Sequence, residues 1–139
     1  MAKRQAYLEH LAAVPMFHAC SKKELDLIAR RAEECRFTAG EKIVTEGEIG
    51  LEFYVIMEGS AKVSRHGVQL ATLGPGDFFG ELALLDHARR NATVEALTPM
   101  VTIVLARREF DGLLAEAPAV AHKLLVGMAR RLHELDAHV

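Results

Sequence analysis

The length of 139 residues and a composition that is 50% hydrophobic fit one globular domain that needs no disulfide or metal ion to fold. A formal net charge of −2, with basic residues only in scattered pairs, argues against direct nucleic-acid binding. Cys20 and Cys35 are too few for a disulfide framework or a zinc site and indicate a reducing, cytoplasmic setting. No run approaches the ~20 apolar residues of a membrane span.

The chain before Gly40 predicts helices over 1–36. Residues 3–13 form the first, which Pro15 ends. Ser21 and Glu24 have the spacing of a capping box, in which the hydroxyl accepts a backbone N–H and the carboxylate reaches back. Apolar residues then recur at helical spacing, which predicts a second helix over about 22–34.

Glycines mark the middle of the chain, because eight of the ten lie between Gly40 and Gly80 and tight turns need their positive φ angles. Six strands are predicted there: 42–45, 52–58, 61–66, 68–73, 92–97 and 101–106. His66-Gly67 is a predicted hairpin turn, and 74–77 is a turn by composition. Strands this short and evenly spaced favour a small antiparallel barrel or jelly roll over 37–106.

The last part, 107–139, is predicted to be helical, with helices over 108–115 and 118–136 separated at Pro118. Apolar residues in the second of these follow spacings of 4, 3, 4 and 3, typical of a heptad stripe. They are Ala121, Leu125, Met128, Leu132 and Leu135. Two interpretations are open: the helix lies on its own domain, or its stripe pairs with a second chain.

One segment, 79–94, carries chemistry. Gly80 allows a sharp exit from a strand, and the residues after it can form one helical turn whose free N–H groups attract an anion. Arg90 follows, with a guanidinium fork that matches phosphate oxygens. Glu81 would repel that anion unless it accepts hydrogen bonds from hydroxyl groups of the same ligand. The structural alternatives are an Arg90 salt bridge to Glu81 or Asp86, and a Glu81 that only favours the helix dipole.

The segment from Phe79 to Val94 reads F-G-E-L-A-L-L-D-H-A-R-R-N-A-T-V. It resembles the phosphate-binding cassette of the cyclic-nucleotide-binding domains. That family includes the catabolite activator proteins, the protein kinase A regulatory subunits and the cyclic-nucleotide-gated channels. Further family-like motifs extend the resemblance over about the whole chain; they lie at 14–17, 24–25, 37–41, 46–48, 53–59 and Phe110.

The resemblance implies an α+β fold with a single cyclic-nucleotide-binding domain over 1–139. Its parts would be an antiparallel β jelly-roll barrel with N-terminal helices, a short phosphate-cassette helix and C-terminal lid helices. The resemblance also implies the binding residues. They are Arg90, Ala83 and Asn91 for the phosphate, Gly80, Glu81 and Leu82 for the ribose, and Val63 and Arg131 for the base.

Two positions depart from the family pattern. Arg89 stands where the family usually has Pro, and we expect it to be a solvated surface residue. Asn91 stands where the family usually has Ala, Ser or Thr, so it does not decide between cyclic AMP and cyclic GMP. The expected ligand is cyclic AMP, with cyclic GMP as the alternative.

The expected function is that of a non-catalytic cyclic AMP sensor without a metal or other cofactor, because the histidines and serines lack metal-ligand spacing and a nucleophile elbow. Ligand binding would move the C-terminal helix, where Gly127 either eases the movement or permits close packing. The readout would be a homodimer, an output domain or a partner protein. The alternatives are a ligand-free interaction module of the same fold and a jelly-roll phosphodiesterase.

Overall fold

The computed structural model describes residues 2–86 and 88–135, without the side chains of residues 2–4, 82, 131, 134 and 135. Its contacts divide the chain into two compact units. A helical unit comprises residues 2–31 and 108–135, and a β unit comprises residues 32–107.

The helical unit contains four α-helices and one short 3-10 helix. In chain order they are α1 (Ala2–Ala12), the 3-10 helix Pro15–Phe17, α2 (Lys22–Arg31), α3 (Arg107–Glu116) and α4 (Pro118–Leu135). The predicted capping box begins α2, because the Ser21 N–H donates to Glu24 Oε1 (2.7 Å) and the Glu24 N–H donates to Ser21 Oγ (3.1 Å). Arg31 links α2 to α3 through ion pairs with Glu109 (3.3 Å) and Glu116 (2.5 Å).

The α2 prediction was wrong at its C-terminal end. The helix stops at Arg31, and Glu33–Phe37 forms a strand, β1. Consequently, the helical N-terminal part does not extend to residue 36. Antiparallel pairing with β8 (Met100–Ala106) from Glu33↔Val104 to Phe37↔Met100 holds this strand in place. Such distant pairing overrides the local helical pattern.

The β unit contains two four-stranded antiparallel sheets. The remaining strands are β2 (Lys42–Val44), β3 (Glu52–Glu58), β4 (Ala61–Arg65), β5 (Val68–Leu73), β6 (Phe78–Phe79) and β7 (Thr93–Ala96). The strand orders are β1-β8-β3-β6 and β2-β7-β4-β5. All six predicted strands are present, and β1 and β6 are additional. His66 (φ +52°) and Gly67 (φ +78°) join β4 to β5, which confirms the predicted hairpin turn.

The inner faces of the two sheets share one hydrophobic core. Ile56 and Met100 come from the first sheet, and Ala61, Val94 and Ala96 come from the second. Partly buried residues from both sheets pack against this cluster: Phe37, Ile43, Val44, Val63, Leu73 and Phe79. The jelly roll expected from the sequence is therefore the fold of this unit.

Helix α4 buries a different face from its heptad stripe. Val120 and Leu124 are buried, whereas Leu125 is 69% and Leu132 is 60% exposed. At Gly127, an added Cβ would lie 2.5 Å from the Met16 carbonyl oxygen, so glycine permits close packing on the 3-10 helix. The helix therefore packs on its own chain, as the first interpretation expected, but Leu125 and Leu132 of the stripe take no part in that packing.

None of the helices within the described residues is long and apolar enough to cross a membrane.

Candidate functional site

Arg90 lies between the 3-10 helix Glu81–Leu84 and β7, and backbone groups hold it in place. Its Nη2 donates to the Glu52 carbonyl oxygen at 2.6 Å. Its own N–H donates to the Glu48 carbonyl (2.7 Å), and its carbonyl accepts the Gly47 N–H (2.8 Å). These three contacts fix both the backbone and the guanidinium of Arg90, so the positive charge is placed before any ligand arrives.

Two glycines allow the guanidinium to lie where it does. A Cβ on Gly50 would lie 2.6 Å from Arg90 Nε, and a Cβ on Gly80 would collide with Arg90 Nη1. Gly80 also has a φ of +82°, the left-handed region that favours glycine. Glycine at position 80 therefore permits both the predicted sharp turn after β6 and the close approach of Arg90.

The predicted cassette helix is present as a 3-10 helix over Glu81–Leu84. A cavity of about 250 Å³ lies beside it. The lining residues are Gly50, Gly80, Glu81, Ala83, Asp86, Ala88, Arg89, Arg90 and Asn91. Two acidic and two basic side chains thus border one opening in the β unit.

The structure does not contain the predicted alternative of an Arg90 salt bridge, whereas Glu81 does lie in the first turn of the 3-10 helix, where a carboxylate favours the helix dipole. Within residues 2–86 and 88–135, its guanidinium forms no salt bridge with Glu81 or Asp86. Glu81 is partly buried, and no described residue gives its carboxylate a hydrogen bond or an ion pair. A basic and an acidic side chain therefore line the same cavity without neutralising each other.

The other predicted phosphate residues, Ala83 and Asn91, also line this cavity. The Ala83 N–H donates to the Gly80 carbonyl at 3.0 Å, and the Asn91 carbonyl accepts a hydrogen bond from Arg65 Nε at 2.7 Å. The Asn91 backbone is therefore fixed from the end of β4.

Val63, one of the two predicted base residues, is separate from this group. Val63 lies on β4 and packs against the interior cluster of the jelly roll rather than lining the cavity. The side chains of Leu82 and Arg131 lie outside the described residues.

Arg89 is exposed, as expected for a solvated surface residue, but it also makes a contact that the sequence did not predict. Its Nη1 donates to the Gly47 carbonyl oxygen at 2.8 Å. Gly47, Gly50 and Glu52 were not among the predicted site residues. Gly47 and Glu52 contribute backbone carbonyl groups, and Gly50 contributes the absence of a side chain. Their residue types therefore gave no sign of a role in the site.

Tyr54 lies on β3, two residues after Glu52, and contacts the first residue of the cassette. Its ring stacks on Phe79 of β6 with centroids 4.9 Å apart. Burial raises the pKa of Tyr54 to about 12, with a further increase from the charge of Glu52 and an opposing effect from Arg90. The phenol is therefore neutral at physiological pH and supports the strand pair that precedes Gly80.

Residues 34–117, more than half of the chain, match the sequence profile of the cyclic nucleotide-binding domain. The chain belongs to that family. It is 33% identical over 127 residues to a cyclic AMP receptor protein of Thermus thermophilus, which covers 88% of this chain and 59% of the relative. It is 39% identical over 116 residues to a cAMP-dependent protein kinase regulatory subunit of Debaryomyces hansenii, which covers 83% of this chain and 26% of the relative.

A solved structure supports the same assignment. The N-terminal domain of a transcriptional regulator from Streptomyces coelicolor superposes with a TM-score of 0.86 at 30% identity, covering 94% of this chain and 96% of that one. The chain thus spans nearly all of that isolated domain but 59% and 26% of the two longer relatives.

Proposed function

We propose that this domain binds cyclic AMP in the cassette cavity and acts as a non-catalytic regulatory sensor. The observation that carries the proposal is the Arg90 guanidinium, which a backbone carbonyl positions while no described carboxylate neutralises it. A cyclic phosphate is a monoanion whose oxygens match this fork. Glu81, on the same cavity, would accept hydrogen bonds from the ribose hydroxyl.

Cyclic AMP is proposed over cyclic GMP because the names of two relatives refer to cyclic AMP. The identity of residue 91, an asparagine, does not indicate which of the two nucleotides is preferred. Asn91 would add a backbone N–H group to the phosphate, and Ala83 would line the phosphate site, since its own N–H already donates to the Gly80 carbonyl. Val63 and Arg131 would contact the base. Within the described residues, no group of three or more metal-ligating side chains lies together. The proposed mechanism uses binding without bond cleavage.

The regulatory step would be a shift of α4 when ligand binds. A ligand shifts such an equilibrium only by its differential affinity for the two arrangements. The readout would pass to a second chain, an output domain or a partner protein. The alternative, a ligand-free interaction module, is disfavoured because it gives Glu81 and Arg90 no function at the cavity.

Calorimetric titration tests the proposal. Cyclic AMP should bind the native domain, whereas 2′-deoxy cyclic AMP should bind it poorly, because a site built to pair a hydroxyl rejects a ligand without it. The Glu81→Gln variant should bind cyclic AMP poorly, because it lacks the carboxylate that would accept the hydroxyl. Cyclic GMP should bind more weakly than cyclic AMP. Equal affinity for the deoxy nucleotide would contradict the role of Glu81, and no heat with either cyclic nucleotide would contradict the function.

A further inference from the structure

Arg89 makes a long-range contact although its side chain is exposed. Its Nη1 donates to the carbonyl oxygen of Gly47, 42 residues earlier in the chain. Gly47 has a φ of +88°, so its backbone adopts the left-handed conformation that favours glycine. The contact therefore joins the cassette to one particular turn.

That turn, residues 47–50, is also joined to the cassette through its backbone. The Gly47 N–H donates to the Arg90 carbonyl (2.8 Å), and the Arg90 N–H donates to the Glu48 carbonyl (2.7 Å). Ile49 and Arg89 form an isolated antiparallel bridge. Among the described contacts between the turn and the cassette, the hydrogen bond of Arg89 is thus the only one that a side chain makes.

The far end of the same turn packs against the phosphate arginine. An added Cβ at Gly50 would lie 2.6 Å from Arg90 Nε and 2.7 Å from Arg90 Cζ. The turn therefore forms one wall of the guanidinium site. If Gly47 moved, Gly50, three residues later, would move with it. Gly50 limits where the Arg90 guanidinium can lie.

We propose that Arg89 is a positioning residue of the cassette, acting through the 47–50 turn on Arg90. The proposal rests on the proposed function only where it concerns affinity for a cyclic nucleotide. Arg89 also lines the cavity, so a purely electrostatic role is the competing explanation. The two roles differ in their effect on the ligand-free turn and in their salt dependence.

Arg89→Met tests the tether, because methionine keeps an apolar stem and lacks the N–H donors. NMR-detected amide exchange in the ligand-free protein should become about tenfold faster at Gly47 and Arg90. The Ile56 amide, which donates to the Asp77 carbonyl at 2.8 Å in the same unit, should be unchanged. Arg36→Ala, the loss of an exposed arginine on β1, should leave all three amides unchanged.

Cyclic AMP affinity should fall roughly three- to tenfold in Arg89→Met, the range of one hydrogen bond. The ratio to the native affinity should be the same at about 50 and about 300 mM salt. Unchanged exchange at Gly47 and Arg90, or a loss of affinity that disappears at high salt, would overturn the proposal. If the native domain binds no cyclic nucleotide, the proposed function fails, whereas amide exchange still decides the tether.

Discussion

Arg90 is the residue on which the proposed function depends most. Replacing it with Ala removes the cationic partner of a desolvated phosphate, which typically costs about 2–5 kcal/mol. At about 1.4 kcal/mol per tenfold, cyclic AMP affinity should fall about 30-fold or more by calorimetry. The loss should exceed that of Arg89→Met. A larger loss at position 89 would show that the assignment of the phosphate arginine is off by one residue.

Gly80 offers a second test at the residue scale, with Gly76 as a matched control. Both have positive φ angles, +82° and +90°, so Ala at position 76 should lower the free energy of unfolding by about 1–2 kcal/mol. Ala at position 80 should lower it further, because its Cβ would also lie 2.9 Å from the Glu52 carbonyl oxygen. Only the Cβ at position 80 would collide with Arg90, because nothing lies within 4 Å of a Cβ at position 76.

Gly80→Ala should therefore weaken cyclic AMP binding by at least about tenfold, equivalent to about 1.4 kcal/mol. Gly76→Ala should bind normally once it is folded. Urea unfolding and calorimetry on the two variants give the comparison. Equal affinities would contradict the account of why glycine stands beside the phosphate arginine.

At the element scale, the local chemistry of the sequence predicted most of the secondary structure. Strands 52–58 and 68–73 were predicted with the bounds that the structure has, because glycine turns flank them. The strand Glu33–Phe37 was missed because its first four residues lack an apolar alternation and only pairing with β8 stabilises it. Phe78–Phe79 is too short to show a period.

The cassette could be predicted because its functional side chains are close together in the sequence. The Gly47 and Glu52 contributions could not, because each is a backbone carbonyl 38 or more residues away from the arginine it binds. A carbonyl has the same chemistry at every residue, so no residue type marks it.

The capping box of α2 gives a pH-dependent test. The Ser21 backbone N–H holds the pKa of the Glu24 carboxyl below its usual 4.5, with burial opposing and the Ser21 hydroxyl and Lys123 assisting. A carboxyl whose folded-state pKa is lowered stabilises the fold fully above its unfolded-state pKa and loses that stabilisation as the pH falls through the folded-state value.

The free energy of unfolding should therefore be lower in Glu24→Gln than in the native protein at pH 7, and the difference should shrink below about pH 4.5. Urea denaturation of both proteins from pH 7 to about pH 3 measures it, since other titrating groups cancel in the difference. A difference that stays constant down to the lowest pH would contradict an ionic contribution from Glu24.

At the scale of the whole molecule, every cavity-lining residue belongs to the β unit, whereas the exposed leucines of the heptad stripe belong to the helical unit. Leu125 and Leu132 are seven residues apart on α4 and therefore share one helix face. Exposed leucines at this spacing are typical of helix pairing, so we expect concentration-dependent self-association.

Sedimentation velocity tests this expectation. The double variant Leu125→Glu/Leu132→Glu should remain monomeric at concentrations where the native chain associates. Leu97→Glu, at a leucine that is 44% exposed in the β unit, should associate like the native chain. A native chain that stays monomeric at all concentrations would contradict the prediction.

The central claim is that the folded domain binds cyclic AMP through Arg90, and the melting temperature with and without the nucleotide tests it most directly. A ligand at 100 times its dissociation constant adds about 2.7 kcal/mol to the free energy of unfolding. For a chain of 139 residues this corresponds to an increase of roughly 9 °C. The account predicts this increase in the native protein and at most about a third of it, roughly 3 °C, in Arg90→Ala at the same cyclic AMP concentration, because an affinity that is about 30-fold weaker leaves the ligand at about three times the dissociation constant. An unchanged melting temperature in the native protein, or an equal increase in the variant, would contradict it.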